Sequence, residues 1–336
     1  MGLKKIMGQY SPCDIDNLNK EILKGNDDYL EFLSSNVQAW KRINLNAFIS
    51  KLSQGEENSY DIFCIIDGNK GNEVTKFVQN YFTDELLNEI RIKQDIKIAI
   101  KETFLKMNKL MEGDQGMKEI LELRKENNKE EIKTYKNIIK ENNNSKEENI
   151  DIFEEEDKEI LDYTGCTLLL LLIDTKNNKA YFGNIGNSAV YIFKKEQDPK
   201  KIFILKSFHR PNDEQEKIRI MDDSLIINNK LYGTLTSSRA FGNLAYNKNN
   251  NKIISDEPDI KEYDINKKED EYIFIGSESV INMIRKENIL NIIKTKEDLN
   301  EIMNEIIDNK VSKYFNNDSK FGFDNMTCTL IKLKNN

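Results

Sequence analysis

Ile62-Phe63-Cys64-Ile65-Ile66 runs directly into Asp67-Gly68-Asn69-Lys70-Gly71, and this junction decides the fold. The first five residues are apolar and bounded by a glycine-containing turn, so they predict a buried strand ending near Asp67. An acid at a strand end, followed by glycines that let backbone approach a ligand, is a way to hold a metal ion. The third residue breaks that pattern. Asn69 is an amide and cannot transfer a proton at neutral pH.

Working outward, runs rich in Ile, Leu, Phe and Tyr at 167–173, 180–185, 188–193, 271–276 and 326–333 also predict strands. Asp174, Asn177 and Asn178 mark one turn and Gly186-Asn187-Ser188 the next, so 167–193 is expected to form hairpins of antiparallel strands. Val74, Phe77, Val78 and Tyr81 follow helical spacing, as do Leu299, Ile302, Met303 and Ile306. Thr295 with Asp298 resembles a capping box for the second helix, and Asn212 with Gln215 could open a short one. Antiparallel strands with amphipathic helices outside them make an α+β layered domain.

The chain has 336 residues, enough for one large domain or two ordinary ones, and its 50 basic against 58 acidic residues leave a net charge of −8. An acidic chain is a poor default partner for nucleic acid or anionic membrane, so neither is expected. Its apolar runs fall far short of the ~20 residues of a membrane span, and no secretory leader is visible. Gly2 raises myristoylation, but Ile6 stands where Ser or Thr is wanted. Cys13, Cys64, Cys166 and Cys328 have no metal or disulfide spacing; as small core hydrophobes they fit a reducing cytosol, hence a cytoplasmic or nuclear location. Residues 111–160 are dominated by Lys, Glu and Asn, with Asn142-Asn143-Asn144 and Glu154-Glu155-Glu156, and are expected to be a charged insertion, part solvated helix and part disordered.

Several segments then line up in order. After the Asp67 loop come Tyr163-Thr164-Gly165-Cys166-Thr167, Gly183-Asn184-Ile185-Gly186-Asn187-Ser188, and His209-Arg210-Pro211-Asn212-Asp213 with Glu216 and Arg219. Leu235-Thr236-Ser237-Ser238-Arg239-Ala240-Phe241-Gly242-Asn243, Glu257-Pro258-Asp259, Gly276-Ser277-Glu278-Ser279 through Asn282, and Asp324-Asn325-Met326-Thr327 follow. Together they resemble the metal-dependent protein phosphatases of the protein phosphatase 2C type. The resemblance covers about 35–335, leaving 1–34 as an N-terminal extension, with a flap at about 209–250.

That resemblance implies an antiparallel β-sandwich of two sheets flanked by helices, a four-layer αββα domain. It also implies Mg²⁺ or Mn²⁺ ions that activate water against phosphoserine or phosphothreonine. Carried over residue by residue, Asp67, the Gly68 carbonyl and Asp324 match metal ligands, and Glu278 stands where the family has Asp. Asn187 and Asn282 replace two further acids, and Asn69 replaces the histidine proposed as general acid. Lys70 fills a glycine position, and Asn243 stands where the Ser-Arg-Ala-Phe-Gly motif ends in Asp. On the loosest match, Trp40 to Ala47, Leu45 and Asn46 replace an acid pair. There Lys41 replaces the arginine that grips phosphate, and a one-residue slip would put Arg42 in that place.

Exchanging carboxylate for amide at ~4 Å from a cation removes roughly 4 kcal/mol of attraction at an effective dielectric of about 20. One Mn or Mg ion at most, weakly bound, is what Asp67, Gly68, Glu278 and Asp324 can hold. A missing general acid removes a further ~10²–10⁴ in rate. The resemblance therefore implies a pseudophosphatase, a binding scaffold for a protein partner that includes phosphoproteins. The alternative is a weakly active Mn- or Mg-dependent serine/threonine phosphatase.

Overall fold

The computed structural model describes residues 19–41, 43–141, 160–196, 198–199, 202–205, 208–250, 252–311 and 322–334. Gly2, Cys13, Arg42 and the tract 142–159, with its asparagine and glutamate blocks, lie outside them. The described residues open with β1 (Lys20–Asn26), β2 (Leu30–Val37), β3 (Ala47–Gln54) and β4 (Tyr60–Asn69), then α1 (Glu73–Lys93), α2 (Ile96–Glu112), α3 (Asp114–Glu141) and α4 (Ile160–Tyr163). β5 (Gly165–Asp174), β6 (Lys179–Ile185), β7 (Ala189–Lys194) and β8 (Phe203–Leu205) lead to the flap, which holds α5 (Glu214–Ile220), β9 (Ile226–Ile227), β10 (Lys230–Leu231) and β11 (Phe241–Gly242). β12 (Asp259–Asp264), β13 (Asp270–Gly276), α6 (Glu278–Met283), α7 (Lys286–Thr295), α8 (Leu299–Ile306) and β14 (Met326–Leu333) complete it.

Leu168 through Leu172 on β5 are all fully buried, which requires a strand covered on both faces. The cover comes from two sides. One sheet runs β12-β6-β5-β4-β3 with β11 added against β5, and the other runs β1-β2-β14-β13-β7-β8. All their pairings are antiparallel. Phe63, Ile65, Leu169, Leu171, Ile273, Ile275 and Ile331 fill the space between the sheets. Val74, Phe77, Phe82 and Phe104 of α1 and α2 cover the first sheet's outer face, and Ile289, Ile302 and Ile306 of α7 and α8 cover the second's. This is the expected four-layer α+β sandwich.

Toward the end of the sandwich that carries Asp67, the filling turns polar. Ser34 on β2 hydrogen-bonds Ser50 on β3 at 2.6 Å and Thr329 on β14 at 2.8 Å. Next along, Thr327 donates to Asn36 at 2.8 Å, and Asn36 donates to the Asn46 carbonyl at 3.0 Å. Buried polar groups persist only when hydrogen-bonded, and these bonds join the two sheets toward the site, interleaved with apolar residues such as Phe48, Ile65 and Ile275.

The structure corrects several expectations. The Gly186-Asn187-Ser188 turn does not close a hairpin: β6 and β7 belong to different sheets, and the turn crosses the sandwich. Gly186 makes that crossing possible, with φ 129° and with Thr167 packed where a side chain would stand. β1 and β2 pair inside the second sheet, so the sandwich starts at Lys20, ahead of the boundary expected at 35. The helix over 299–306 is capped by Asp298, which accepts from Asn300 and Glu301 N–H, while Thr295 closes the preceding helix. Asp213 is the N-cap residue of α5, in place of Asn212. The 111–160 stretch is not simply solvated, because Ile120 of α3 is fully buried and Asn127 nearly so.

Candidate active site

Asp67 lies near the end of β4 in one sheet, and Glu278 and Asp324 come from the other, at the start of α6 after β13 and just ahead of β14. The three acids share one end of the sandwich closely enough to feel one another. Burial, reinforced by the charges of Asp324 and Glu278 and opposed by Lys41, pushes the Asp67 carboxyl up to about 8. Among the described residues, no three carboxylate, imidazole or thiol groups converge tightly enough to hold one ion.

Glu278 is occupied from within the protein. The Asn187 amide donates to its Oε2 at 3.3 Å and also to the Thr236 carbonyl at 3.1 Å. Both partners are acceptors, which fixes the amide with its nitrogen toward Glu278. The Arg210 guanidinium approaches Glu278 Oε1 at 3.5 Å. Asp324 faces Lys41, whose ammonium stands 3.3 Å from Oδ1.

The loose N-terminal match acquires a definite role. Asn325 accepts from Leu45 N–H at 2.9 Å and donates to the Gln38 carbonyl at 2.8 Å, pinning the Trp40–Ala47 segment beside β14. Buried Asn46 accepts from Gly68 N–H at 3.3 Å and donates to the Asn325 carbonyl at 3.5 Å. A carboxylate at 46 could keep the first bond and not the second. Leu45 is half-buried and brings no polar side chain. Asn282 is exposed one turn beyond Glu278 and takes no part in these contacts.

Asn69 places its Oδ1 out of solvent with no hydrogen-bond partner. Lys70 adopts φ 58° where the family pattern has glycine. Its ammonium hydrogen-bonds the Tyr246 hydroxyl at 3.3 Å and lies 5.5 Å from the Tyr163 ring centroid, tying the Asp67 loop to the flap.

A second buried network fastens that flap. Glu216 takes both Arg239, at 2.6 Å, and Arg219, at 2.9 Å, and accepts from Ser238 Oγ at 2.6 Å. Burial pushes the Glu216 carboxyl up, but the Arg239 and Ser238 hydrogen bonds and the two guanidinium charges prevail and hold it at about 2. Arg239 continues to Asp259 at 3.0 Å, and Asp259 lies 3.3 Å from His209 Nε2. His209 is buried and its Nδ1 accepts from Gly186 N–H at 2.9 Å. Sequence reasoning gave no role to Arg210, Glu216 or Asn325. The Glu216–Arg219 spacing of three on a short helix was the one visible signal.

The donor set fits a divalent two-ion centre poorly. An ion among Asp67, Glu278 and Asp324 competes with Arg210 and Lys41 for their oxygens, and Asn187 turns its amide nitrogen toward Glu278 with its Oδ1 buried and unpartnered. Cys64, Cys166 and Cys328 are buried with thiols pushed up by desolvation, so none is an activated nucleophile.

A family model described as protein phosphatase 2C matches residues 113–319. A probable protein phosphatase 2C 6 of Paramecium tetraurelia is 27% identical over 331 residues, covering 94% of this chain and 96% of the relative. A phosphatase from a pathogenic strain of Toxoplasma gondii superposes with a TM-score of 0.63 at 13% identity, covering 95% of this chain and 96% of that one. A C. elegans sex determining protein superposes with a TM-score of 0.58 at 15% identity, with 94% of this chain matched to 64% of that one.

Proposed function

The chain belongs to the protein phosphatase 2C family, and on that premise we propose that it is a pseudophosphatase. The fold is kept as a binding and regulatory scaffold for a protein partner, phosphoproteins included, and phosphoester hydrolysis is lost or negligible. The observation that carries this reading is Glu278, held by the Asn187 amide and the Arg210 guanidinium. Members of the family are generally manganese- or magnesium-dependent. In this chain Glu278 and Asp324 already face Arg210 and Lys41, and Asn69 supplies no proton. At most one Mn or Mg ion is held, weakly, by Asp67, the Gly68 carbonyl, Glu278 and Asp324.

The second reading is a weak Mn²⁺-dependent serine/threonine phosphatase, favoured by the mutual electrostatic influence of Asp67, Glu278 and Asp324. Among the described residues no helix is long and apolar enough to cross a membrane. The buried, unpaired Cys64, Cys166 and Cys328 accord with a cytoplasmic or nuclear setting. The test is phosphopeptide turnover in millimolar Mn²⁺ beside the Asp67→Ala variant. The pseudophosphatase reading expects the two proteins to be indistinguishable. Turnover that disappears in Asp67→Ala establishes the weak enzyme.

A further inference from the structure

A chain of carboxamides links the charged insertion to the loop that carries Asp67. It starts at Asn127 on α3, which is 5% exposed although its neighbours Lys125 and Glu126 face solvent. Asn127 Nδ2 donates to Asn72 Oδ1 at 2.5 Å and to Glu73 Oε1 at 2.8 Å. Its Oδ1 accepts from the Lys76 ammonium at 3.0 Å. Both ends of the carboxamide are therefore engaged by the start of α1.

Asn72 passes the contact on. It is the N-cap residue of α1, yet its side chain caps no N–H of that helix. Its amide donates instead to the Asn44 carbonyl at 3.1 Å. Asn44 Oδ1 accepts from Asn46 N–H at 3.2 Å, and Asn46 Oδ1 accepts from Gly68 N–H at 3.3 Å. The segment 68–72 is thus gripped at both ends, by Asn46 at Gly68 and by Asn127 at Asn72.

Glu73 gives the link its energetic weight. Its carboxylate is 1% exposed, and α3 supplies an ion pair to it through Arg124, whose Nε stands 3.4 Å from Oε1. Oε2 makes no hydrogen bond and lies where a side chain on Gly71 would stand. Withdrawing α3 leaves this carboxylate buried beside the loop without Arg124 or Asn127, and a buried charge stripped of its partner is strongly destabilising.

We propose that α3 is a regulatory brace for the Asp67–Gly68 loop, with Asn127 as its positioning residue. An event that draws Arg124 and Asn127 off α1 frees Asn72 and Glu73, and Gly68 then loses its fixed place. Coupling between sites travels through contiguous hydrogen-bond networks of this kind. The input reaches the candidate site from the helical layer, since α3 packs on α1 and α2. The inference goes beyond the pseudophosphatase reading and holds for a hydrolysing or a silent site.

The test is hydrogen–deuterium exchange on the full chain, comparing the unmodified protein with Asn127→Leu and Lys125→Ala. Leucine keeps the bulk and helix propensity at 127 and removes every hydrogen bond of the side chain. Exchange over 67–73 is expected to quicken about tenfold in Asn127→Leu, with 299–306 on the opposite helical layer unchanged. Lys125→Ala is expected to match the parent. Loop exchange that stays at the parent rate, or that quickens equally over 299–306, overturns the proposal. So does an equal effect from Lys125→Ala.

Melting of Asn127→Ala, Asn46→Ala and their combination gives a second reading where Asn127→Leu folds poorly. Among the described residues the two share no hydrogen-bond partner, so independent sites would add. Non-additive melting shifts support the brace, and strict additivity overturns it.

Discussion

Asn187 directs its amide nitrogen at Glu278 Oε2 over 3.3 Å, in a turn that crosses from one sheet to the other. In a metal-free cleft this is a stabilising arrangement, since a neutral donor can face a carboxylate and a second ionised carboxylate cannot. Asn187→Asp sets two carboxylates together and leaves the Thr236 carbonyl without its donor. It should cost about 1–3 kcal/mol without metal. Mn²⁺ should recover part of that loss. Denaturant melts with and without Mn²⁺ check it, and an unperturbed, Mn²⁺-indifferent variant would show that the Asn187 contact carries no weight.

The flap depends on Glu216. Its carboxyl is held below the usual range, so by linkage its stabilising effect is present above about pH 4.5 and is lost as pH falls toward 2. Glu216→Gln leaves Arg219 and Arg239 short of a counter-charge in a buried setting and should cost about 3–5 kcal/mol. Proteolysis within 209–250 should accelerate in this variant, and equal rates would contradict the network's role.

At the pole opposite the acids, Asp61 is buried with one oxygen accepting from Ser53 N–H and the other near Asp27. Burial, eased by the Ser53 hydrogen bond and increased by Asp27, pushes its carboxyl up to about 7. A raised folded-state value means stability present at low pH is lost as pH rises between about 3.8 and 7. Asp61→Asn should flatten that decline, melting like the parent below about pH 3.8 and increasingly above it up to pH ~7. Parallel melting curves across this range would contradict the assignment.

Lys70 accepts a left-handed conformation costing about 1–2 kcal/mol for a residue with a Cβ. Its contacts with Tyr246 and Tyr163 offset that cost. Lys70→Gly should relieve the strain and release the flap together, giving a similar melting point with faster amide exchange over 244–250. Unchanged exchange would show that the tyrosines do not clasp the flap through Lys70.

The fold could be read from the sequence wherever burial was uniform. The strand 165–174 is apolar on both faces, and α1 carries a clean helical stripe, so both were legible. β2 was not, because Ser34, Ser35 and Asn36 are buried polar residues whose partners are distant in sequence. β1 is exposed almost throughout and lacks any apolar alternation. In the candidate site, Asp67, Glu278 and Asp324 were identifiable from their motifs. Lys41 was named on the loosest match, but Arg210 was hidden, because pairing it with Glu278 requires knowing which turns meet.

Mn²⁺ titration followed by thermal unfolding tests most directly whether the protein's own cations have taken the place of the metal centre. A ligand at concentrations near its dissociation constant adds only about 0.4 kcal/mol. The account predicts no shift at micromolar Mn²⁺ and at most a small rise at millimolar. A rise of several degrees at micromolar Mn²⁺, abolished by Asp67→Ala, would contradict it.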